Sequence, residues 1–376
     1  MTPRLLFLFS DTGAGHRACA EAVAAALSIR FPGRFAVDLF DPLARERAIL
    51  SGRVTGLYGP LTRYLPGGWA ALYHATNVQP VVRAVQGTLG RGLRPKLRRA
   101  LEPPPALVVS FHPMLNHVAA DILPAGIPLI TVITDWIDFH WAWTDQRVAL
   151  VICPSRAAYD LCRRRGVPEE RLRYGDGLPI HPRFADAIRR YPTRGLARRA
   201  LGLRPHARTV LLVGGGDGTE PLRAYARALA ASPLDLQVLA VCGRNEPLAR
   251  RIRADNHDGV HVYGFVQNMP ELMLAADLLI TRAGPGMIAE GLACGCPLLL
   301  TGRLPGQEEA NVSEVLRRGL GWFTPRPRQL LDAVSAWYAK PGGERAALEA
   351  HVRAAGNPNR AFEVADVLAA SAGSRG

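Results

Sequence analysis

A chain of 376 residues, 48% of them hydrophobic, is longer than one hydrophobic core usually grows, so we expect two domains. No stretch approaches the ~18 apolar residues of a membrane-spanning helix, which leaves peripheral contact as the expected kind of membrane contact. The formal net charge of +14 would favour a nucleic-acid or anionic-membrane partner, but only two of the 46 basic residues, Lys96 and Lys340, are lysines. Such a preference for arginine over lysine indicates a genome-wide codon bias and not selection for a charged surface. Because no recognised nucleic-acid-binding module is present, we expect no nucleic-acid partner.

The first apolar run, residues 5–9, is too short for a signal sequence and leads directly into a glycine turn. It therefore predicts a first β-strand. The six cysteines are scattered, with neither CxxC spacing nor a histidine partner, and they predict buried free thiols in a reducing compartment.

Short apolar runs alternate with longer helical patterns along the chain. Near-continuous apolarity indicates strands that are covered on both faces, and intervening helices indicate parallel pairing. The predicted strands are residues 5–9, 35–40, 106–111, 128–134, 149–153, 209–214, 236–242, 260–265, 277–281 and 297–301. The fold class is therefore α/β, with two Rossmann-like doubly wound parallel-sheet domains.

The predicted domain boundaries follow the glycine- and proline-rich segment 174–184, which we interpret as a hinge. The first domain covers residues 1–175 and the second covers residues 185–355. Residues 356–376 form a C-terminal helix that could cross back to the first domain.

Ligands of open parallel sheets bind beyond the carboxyl ends of the strands, where helices begin. The first such turn, residues 10–16, places His16 at a helix start, where the helix dipole lowers its pKa and favours a neutral base. A surface or capping histidine is the alternative. The second turn has four glycines within residues 214–218, among them Gly215 and Gly216, so the backbone could approach a ligand closely or simply form a flexible loop.

The third turn carries the most information. A strand ends in Gly284, Pro285 and Gly286 at a helix start, where free amides would accept a pyrophosphate, and Glu290 lies about one turn further along. The fourth turn, residues 304–311, combines carboxylate and carboxamide side chains, which suit sugar hydroxyls. An acidic helix cap is its alternative interpretation.

Seven motifs in matching order, spread over about residues 5–322, resemble the monogalactosyl- and glucosyl-diacylglycerol synthases of glycosyltransferase family 28. The motifs are DTGAGHRACAEAV, FHPMLNHV, TDWIDFHWAWT, VCGRN, GFVQNMPELM, TRAGPGMIAEGLACGCPLLL and PGQEEANV. The resemblance implies a GT-B fold of two domains facing across a cleft, an inverting reaction and a UDP-sugar donor. It also makes His16 the catalytic base for the acceptor hydroxyl. Asp135, after the strand 128–134, is an alternative base or a partner that orients His16.

The same resemblance implies a donor site in the second half of the chain. Phe265 and Val266 would frame the uracil base. The amides of Gly284 and Gly286 would bind the pyrophosphate, and Glu290 would contact the ribose.

The donor sugar would be held by Gln307 and Glu308, with Asn311 supporting them. Gly215 and Gly216 would line the cleft. Because no pair of carboxylates of the DxD type follows a strand, we expect no metal site and no required cofactor beyond the UDP-sugar substrate.

Two positions depart from the family pattern. Met287 stands where relatives usually carry a hydroxyl after the glycine turn, and Ala14 stands where they usually have a third glycine. Both departures bear on donor affinity and donor identity.

The acceptor side is predicted in residues 52–99, which mix aromatic and basic side chains. Such a surface suits an anionic membrane, and a helical insertion with a solvated arginine face is the alternative. The candidate membrane residues are Trp69, Arg83, Arg91, Arg94, Lys96, Arg98 and Arg99.

We therefore expect an inverting hexosyltransferase that acts on a lipid, most simply diacylglycerol. The expected location is cytoplasmic, on the inner face of the cell membrane, with no obligate protein partner. A lipid-linked N-acetylglucosaminyltransferase of cell-wall precursor synthesis and a non-catalytic nucleotide-binding protein are the alternatives.

Overall fold

The computed structural model describes residues 2–10, 14–43, 66–215 and 221–373. The chain divides into two compact units. The N-terminal unit comprises Met1–Pro182, Leu304–Gln307 and Asn359–Gly376, and the C-terminal unit comprises Arg183–Arg303 and Glu308–Pro358.

The N-terminal unit contains a six-stranded parallel sheet in the order β2-β1-β3-β4-β5-β6. Every residue of the three strands β3 to β5 is buried, as expected for strands that helices cover on both faces. The strands are β1 (Arg4–Leu8), β2 (Ala36–Phe40), β3 (Leu107–Ser110), β4 (Leu129–Val132), β5 (Leu150–Cys153) and β6 (Leu172–Tyr174).

Helices follow most of these strands, and polar side chains cap several of them. The His112 imidazole accepts a hydrogen bond from the Met114 amide at the start of helix Pro113–Ile122, and the Ser155 hydroxyl accepts one from the Ala158 amide at the start of helix Arg156–Arg164. These helices are α1 (Ala14–Arg30), α2 (Pro66–Thr76), α3 (Gln79–Ala100), α4 (Pro113–Ile122) and α5 (Arg156–Arg164). Two 3₁₀ helices cover Trp141–Trp143 and Glu169–Arg171.

The C-terminal unit contains a second six-stranded parallel sheet, in the order β12-β11-β10-β7-β8-β9. Its strands are β7 (Arg208–Val213), β8 (Leu236–Val241), β9 (Val260–Tyr263), β10 (Leu278–Arg282), β11 (Leu298–Gly302) and β12 (Gly321–Phe323). Its helices are α6 (Arg183–Arg190), α7 (Arg194–Ala200), α8 (Leu222–Ala230), α9 (Glu246–Ala254), α10 (Met269–Ala275), α11 (Pro285–Ala293), α12 (Glu309–Arg317), α13 (Pro327–Ala339) and α14 (Gly342–Ala354).

The last helix, α15 (Arg360–Gly373), belongs to the N-terminal unit and packs along α1. Arg360 at its start is buried, with 5% of its surface exposed, and its guanidinium donates to the Cys153 carbonyl at the end of β5. The same side chain lies against Gly175, where a Cβ would collide with it. The buried guanidinium of Arg360 therefore attaches this helix to the carboxyl end of β5.

The structure confirms the predicted fold class, and each of the ten predicted strands is present. Two strands were not predicted, β6 and β12. Each has three residues, lies at a sheet edge and is only partly buried, so neither has the continuous apolarity of an interior strand. All six cysteines are buried and free, as predicted. Across the described ranges, no helix is both long and apolar enough to cross a membrane.

Candidate functional site

Polar residues gather at the carboxyl edge of the N-terminal sheet, because all of its strands run in parallel. His16 lies in the first turn of α1, and its Nδ1 is 2.6 Å from the hydroxyl oxygen of Thr134, which follows β4. The His16 ring lies edge-on to the His112 ring at 4.8 Å and tilted against the Trp143 ring at 5.9 Å, measured between centroids. These contacts hold the imidazole between the ends of β3 and β4.

Burial lowers the pKa of His16 to about 4, and a hydrogen bond with the Phe111 backbone acts in the opposite direction. The imidazole is therefore neutral at pH 7. A lowered pKa was predicted from the helix dipole, whereas desolvation is the largest cause in the structure.

Asp135 is buried next to Thr134, and both of its oxygens accept hydrogen bonds. Trp143 donates through Nε1 to Oδ2 at 2.6 Å, and Gln307 donates through Nε2 to Oδ1 at 3.3 Å. Burial raises the pKa of Asp135 to about 6; both hydrogen bonds lower it, and the charge of Asp138 raises it further. Within the described residues, the Nδ1 partner of His16 is Thr134 and not Asp135, so the contact expected of an orienting carboxylate is absent there.

A buried amide holds Trp143 in place. Asn116 of α4 donates through Nδ2 to the Trp143 carbonyl at 3.2 Å, and its own Oδ1 accepts from the Thr131 hydroxyl in β4 at 3.2 Å. Sequence reasoning missed Thr134, Trp143 and Asn116 as contributors to this site. The available signal was position at the carboxyl ends of predicted strands: Thr134 ends the predicted strand 128–134 and Trp143 follows it, and Asn116 follows the predicted strand 106–111.

The carboxyl edge of the C-terminal sheet carries the second group of candidate residues. Gly284 precedes α11 with φ −68° and ψ 132°, and Pro285 occupies the first turn of this helix. No side chain in the described part of the chain caps it. A Cβ built at Gly286 would meet no described atom within 4 Å, whereas a Cβ at Gly284 would lie 3.8 Å from Glu308 Oε1, so the free space is beside Gly286. An uncapped helix start with free space beside it can bind an anion.

Glu290 lies on α11 and is half-buried. Burial raises its pKa to about 7, and the charge of Arg183 opposes the raise. A carboxyl group with this pKa can accept hydrogen bonds when ionised and donate one when protonated, which suits hydroxyl groups of a ligand.

The fourth predicted turn divides between the two units. Glu308 is buried and forms an ion pair with Arg282, with Nε to Oε2 at 3.2 Å. Asn311 is also buried and donates through Nδ2 to the Ala283 carbonyl at 3.0 Å, which attaches α12 to the end of β10. Among the described residues its Oδ1 has no hydrogen-bond partner. Gln307, predicted beside Glu308 in the donor site, instead belongs to the N-terminal unit and bonds to Asp135.

Phe265 follows β9 and exposes 63% of its surface, with the Arg244 guanidinium 5.4 Å from its ring centroid. Val266 beside it is half-buried. An exposed aromatic ring at the carboxyl edge offers a stacking surface for a planar base.

The glycine turn after β7 is described only in part. Gly215 adopts φ +72°, a left-handed conformation that favours glycine, whereas Gly216 lies outside the described residues.

Some side chains of the predicted basic cluster bond to other parts of the protein, and others are exposed to solvent. Arg94 bonds to Asp121 at 2.7 Å, and Lys96 donates to the Pro42 carbonyl at 3.2 Å. Three further cluster residues are exposed on α3: Arg91, Arg98 and Arg99. The side chains of Trp69 and Arg83 lie outside the described part of the chain. Nearby, three large apolar side chains are exposed: Leu72, Val78 and Val81.

No group of three or more histidine, cysteine, aspartate or glutamate side chains with the spacing to hold a metal ion occurs in the described ranges. The described polar side chains at the two sheet edges instead include carboxylates, carboxamides, the Thr134 hydroxyl and the imidazoles of His16 and His112.

Two protein families match the chain. Residues 16–180 match the family described as monogalactosyldiacylglycerol (MGDG) synthase, and residues 209–322 match the glycosyltransferase family 28 C-terminal domain. His16 falls in the first match, and Phe265, Gly284 and Glu290 fall in the second.

Full-length relatives extend this result. The chain is 32% identical to the chloroplastic monogalactosyldiacylglycerol synthase of Spinacia oleracea, over 96% of this chain and 71% of that protein. It is equally identical to the chloroplastic monogalactosyldiacylglycerol synthase 1 of Arabidopsis thaliana, over 96% of this chain and 69% of that protein. The prediction of a cytoplasmic protein on the inner face of the cell membrane is wrong by this comparison, because these relatives are chloroplastic. The sequence motifs that suggested this location carry no information on the compartment.

Solved structures agree on the fold. The Anabaena protein Alr3699/HepE in complex with UDP-glucose matches with a TM-score of 0.54 and 17% identity, over 98% of this chain and 100% of that chain. MurG of Acinetobacter baumannii matches with a TM-score of 0.62 and 17% identity, over 98% of this chain and 99% of that chain. With the expected GT-B fold confirmed and a full-length relative above 30% identity, the chain belongs to the monogalactosyldiacylglycerol synthase family of glycosyltransferase family 28.

Proposed function

We propose that this chain transfers a hexose, specifically galactose, from a UDP-sugar to diacylglycerol and forms a monogalactosyldiacylglycerol. The observation that carries the proposal is the relationship over 96% of the chain to proteins named for that product. The geometry supports it, because a neutral imidazole lies at one sheet edge and an uncapped helix start lies at the other.

His16 is the proposed general base. The acceptor hydroxyl loses its proton to the imidazole as its oxygen forms a bond to the anomeric carbon. The bond from that carbon to the UDP oxygen breaks in the same displacement, so the configuration of the sugar inverts. A base with a lowered pKa is already unprotonated at neutral pH and is ready to accept this proton.

The C-terminal unit is the proposed donor site. The amides at the start of α11 would stabilise the charge that develops on the leaving UDP, with the Arg282 side chain close by. Phe265 would stack on the uracil and Glu290 would bind the ribose. Since no pair of carboxylates of the DxD type follows a strand, we propose that the UDP-sugar reacts without a required cofactor.

The proposed membrane contact uses the exposed arginines of α3. Arg91 and Arg98 are seven residues apart and therefore lie on one helix face, which suits an anionic lipid surface. Three exposed apolar side chains would insert between headgroups: Leu72 of α2, Val78 before α3 and Val81 in the first turn of α3. Such peripheral contact would bring diacylglycerol, which stays in the bilayer, to the enzyme.

The test is a panel of donors. Vesicles that contain diacylglycerol would be incubated with UDP-galactose, UDP-glucose or UDP-N-acetylglucosamine, and the lipid products would be measured by mass spectrometry. We expect a monohexosyl product from UDP-galactose whose linkage, determined by NMR, is inverted relative to the donor. The controls are vesicles without diacylglycerol and the His16→Ala variant.

Two results would contradict the proposal. Transfer from UDP-N-acetylglucosamine alone would favour the cell-wall precursor activity. Binding of UDP without transfer from any donor would favour a nucleotide-binding protein without catalysis.

A further inference from the structure

The end of β4 offers His16 a neutral partner and not a charged one. Thr134 has 3% of its surface exposed, and its hydroxyl oxygen is 2.6 Å from His16 Nδ1. The adjacent carboxylate of Asp135 is engaged with Trp143 and Gln307. The hydroxyl is therefore the polar side chain that can control the orientation of the imidazole.

We propose that Thr134 is the positioning residue of His16, and that its hydroxyl accepts a hydrogen bond from Nδ1–H. The inference rests on the proposed function, in which His16 is the base. A neutral imidazole carries one N–H, so a hydrogen atom held on Nδ1 leaves the lone pair on Nε2. Nε2 is then the atom that receives the proton of the acceptor hydroxyl.

A hydroxyl partner has a different electrostatic effect from a carboxylate partner. A carboxylate would favour the charged imidazolium and raise the pKa of the histidine, whereas a hydroxyl fixes orientation without adding charge. The hydrogen bond with the Phe111 backbone opposes the burial that lowers the pKa of His16, but among the described residues no carboxylate is bonded to Nδ1. The titratable ring packed against His16 is that of His112, at 4.8 Å between centroids, and it too is held, by the Met114 amide. The imidazole is consequently unprotonated at pH values well above its lowered pKa of about 4.

The test compares Thr134→Val, which removes the hydroxyl at nearly constant volume, with Thr134→Ser, which retains it. We expect Thr134→Val to lower kcat roughly 5- to 30-fold, with KM for the UDP-sugar and UDP affinity unchanged, as the loss of one hydrogen bond predicts. Thr134→Ser should restore kcat to within about twofold of the original chain.

Thr209→Val is the matched control. Thr209 is fully buried in β7 of the other unit, and its hydroxyl donates to the Ala207 carbonyl at 3.0 Å and accepts from Gln237 at 3.1 Å. This variant loses a buried threonine hydroxyl of the same kind and should keep its turnover.

NMR of the imidazole nitrogens tests the inference without any turnover. The original chain and Thr134→Ser should show His16 as the Nδ1–H tautomer, with the resonances assigned through His16→Ala, and Thr134→Val should lose that preference. A His16 that already carries its hydrogen on Nε2, or a tautomer unchanged in Thr134→Val, would overturn the inference even for an active enzyme. A failure of the proposed function would give a different result. The wild-type protein would then transfer no hexose, while its His16 tautomer would still depend on Thr134.

Discussion

Replacement of Asp135 by asparagine should stabilise the protein at neutral pH and not at acidic pH. The structure raises the pKa of this buried carboxyl from 3.8 to about 6, chiefly through burial. Between these two values the native state binds a proton that the unfolded state has lost, so stability falls as pH rises from about 4 to about 6 and is constant above. The raise corresponds to about 3 kcal/mol of destabilisation at pH 8.

Asparagine has nearly the shape of the protonated acid and cannot ionise. Its carbonyl can still accept from Trp143, and rotation of the Gln307 amide can supply an acceptor for its NH₂ group. Asp135→Asn should therefore match the original chain near pH 4 and exceed it by about 3 kcal/mol at pH 8, which moves a urea midpoint by roughly 1 to 2 M. Loss of activity in the same variant would mark a trade of stability for function.

The assay is urea unfolding at pH 4, 6 and 8, followed by tryptophan fluorescence. Asp138→Asn is the control, because Asp138 is exposed and contributes the smallest of the causes that shift Asp135. The reasoning is refuted if Asp135→Asn is no more stable than the original chain at pH 8, or if the difference between them does not change with pH.

Four further outcomes are expected. His16→Ala should lower turnover roughly 100- to 10,000-fold with UDP affinity unchanged, since the proposed base and the proposed donor site belong to different units; near-normal turnover would remove His16 as the base. Glu290→Ala should weaken UDP binding by about 1 to 3 kcal/mol in calorimetry, and an unchanged affinity would contradict its ribose contact. Turnover should persist in EDTA, and a loss that magnesium restores would contradict metal-free transfer. Replacement of Arg91, Arg98 and Arg99 by glutamate should release the protein from anionic vesicles, because each arginine near the surface contributes roughly 1 kcal/mol of binding free energy. The same replacement of three exposed arginines on α9, Arg250, Arg251 and Arg253, should not release it. Retention of the α3 variant on the vesicles would identify a solvated surface.

The features that could be predicted from the sequence are those that depend on local pattern. Continuous apolar runs located ten strands, and parallel pairing then placed His16 and Asp135 at one edge without any knowledge of distances. The glycine pattern likewise predicted that Gly284 and Gly286 lie where a strand ends and a helix begins.

The contacts between distant segments could not be predicted in this way. The bond from Gln307 to Asp135 joins residues 172 positions apart, and no periodicity records it. The partner of His16 was equally hidden, because Thr134 and Asp135 are neighbours and only coordinates show which of them faces the ring. The pKa of His16 was predicted in the right direction from the helix dipole, but burial, its main cause, depends on the whole packed unit.

The attachment of α15 to the N-terminal unit has a consequence for biosynthesis. The guanidinium of Arg360 meets the carbonyl of Cys153, a residue 207 positions earlier in the chain. A ribosome that adds ~5–20 residues per second supplies this arginine roughly 10 to 40 seconds after the end of β5 has been made. During that interval α1 lacks the helix that covers it, and the C-terminal sheet is synthesised in full. The first unit to begin folding is therefore the last to be completed, and its uncovered helix is a surface on which nascent chains could aggregate or chaperones could bind.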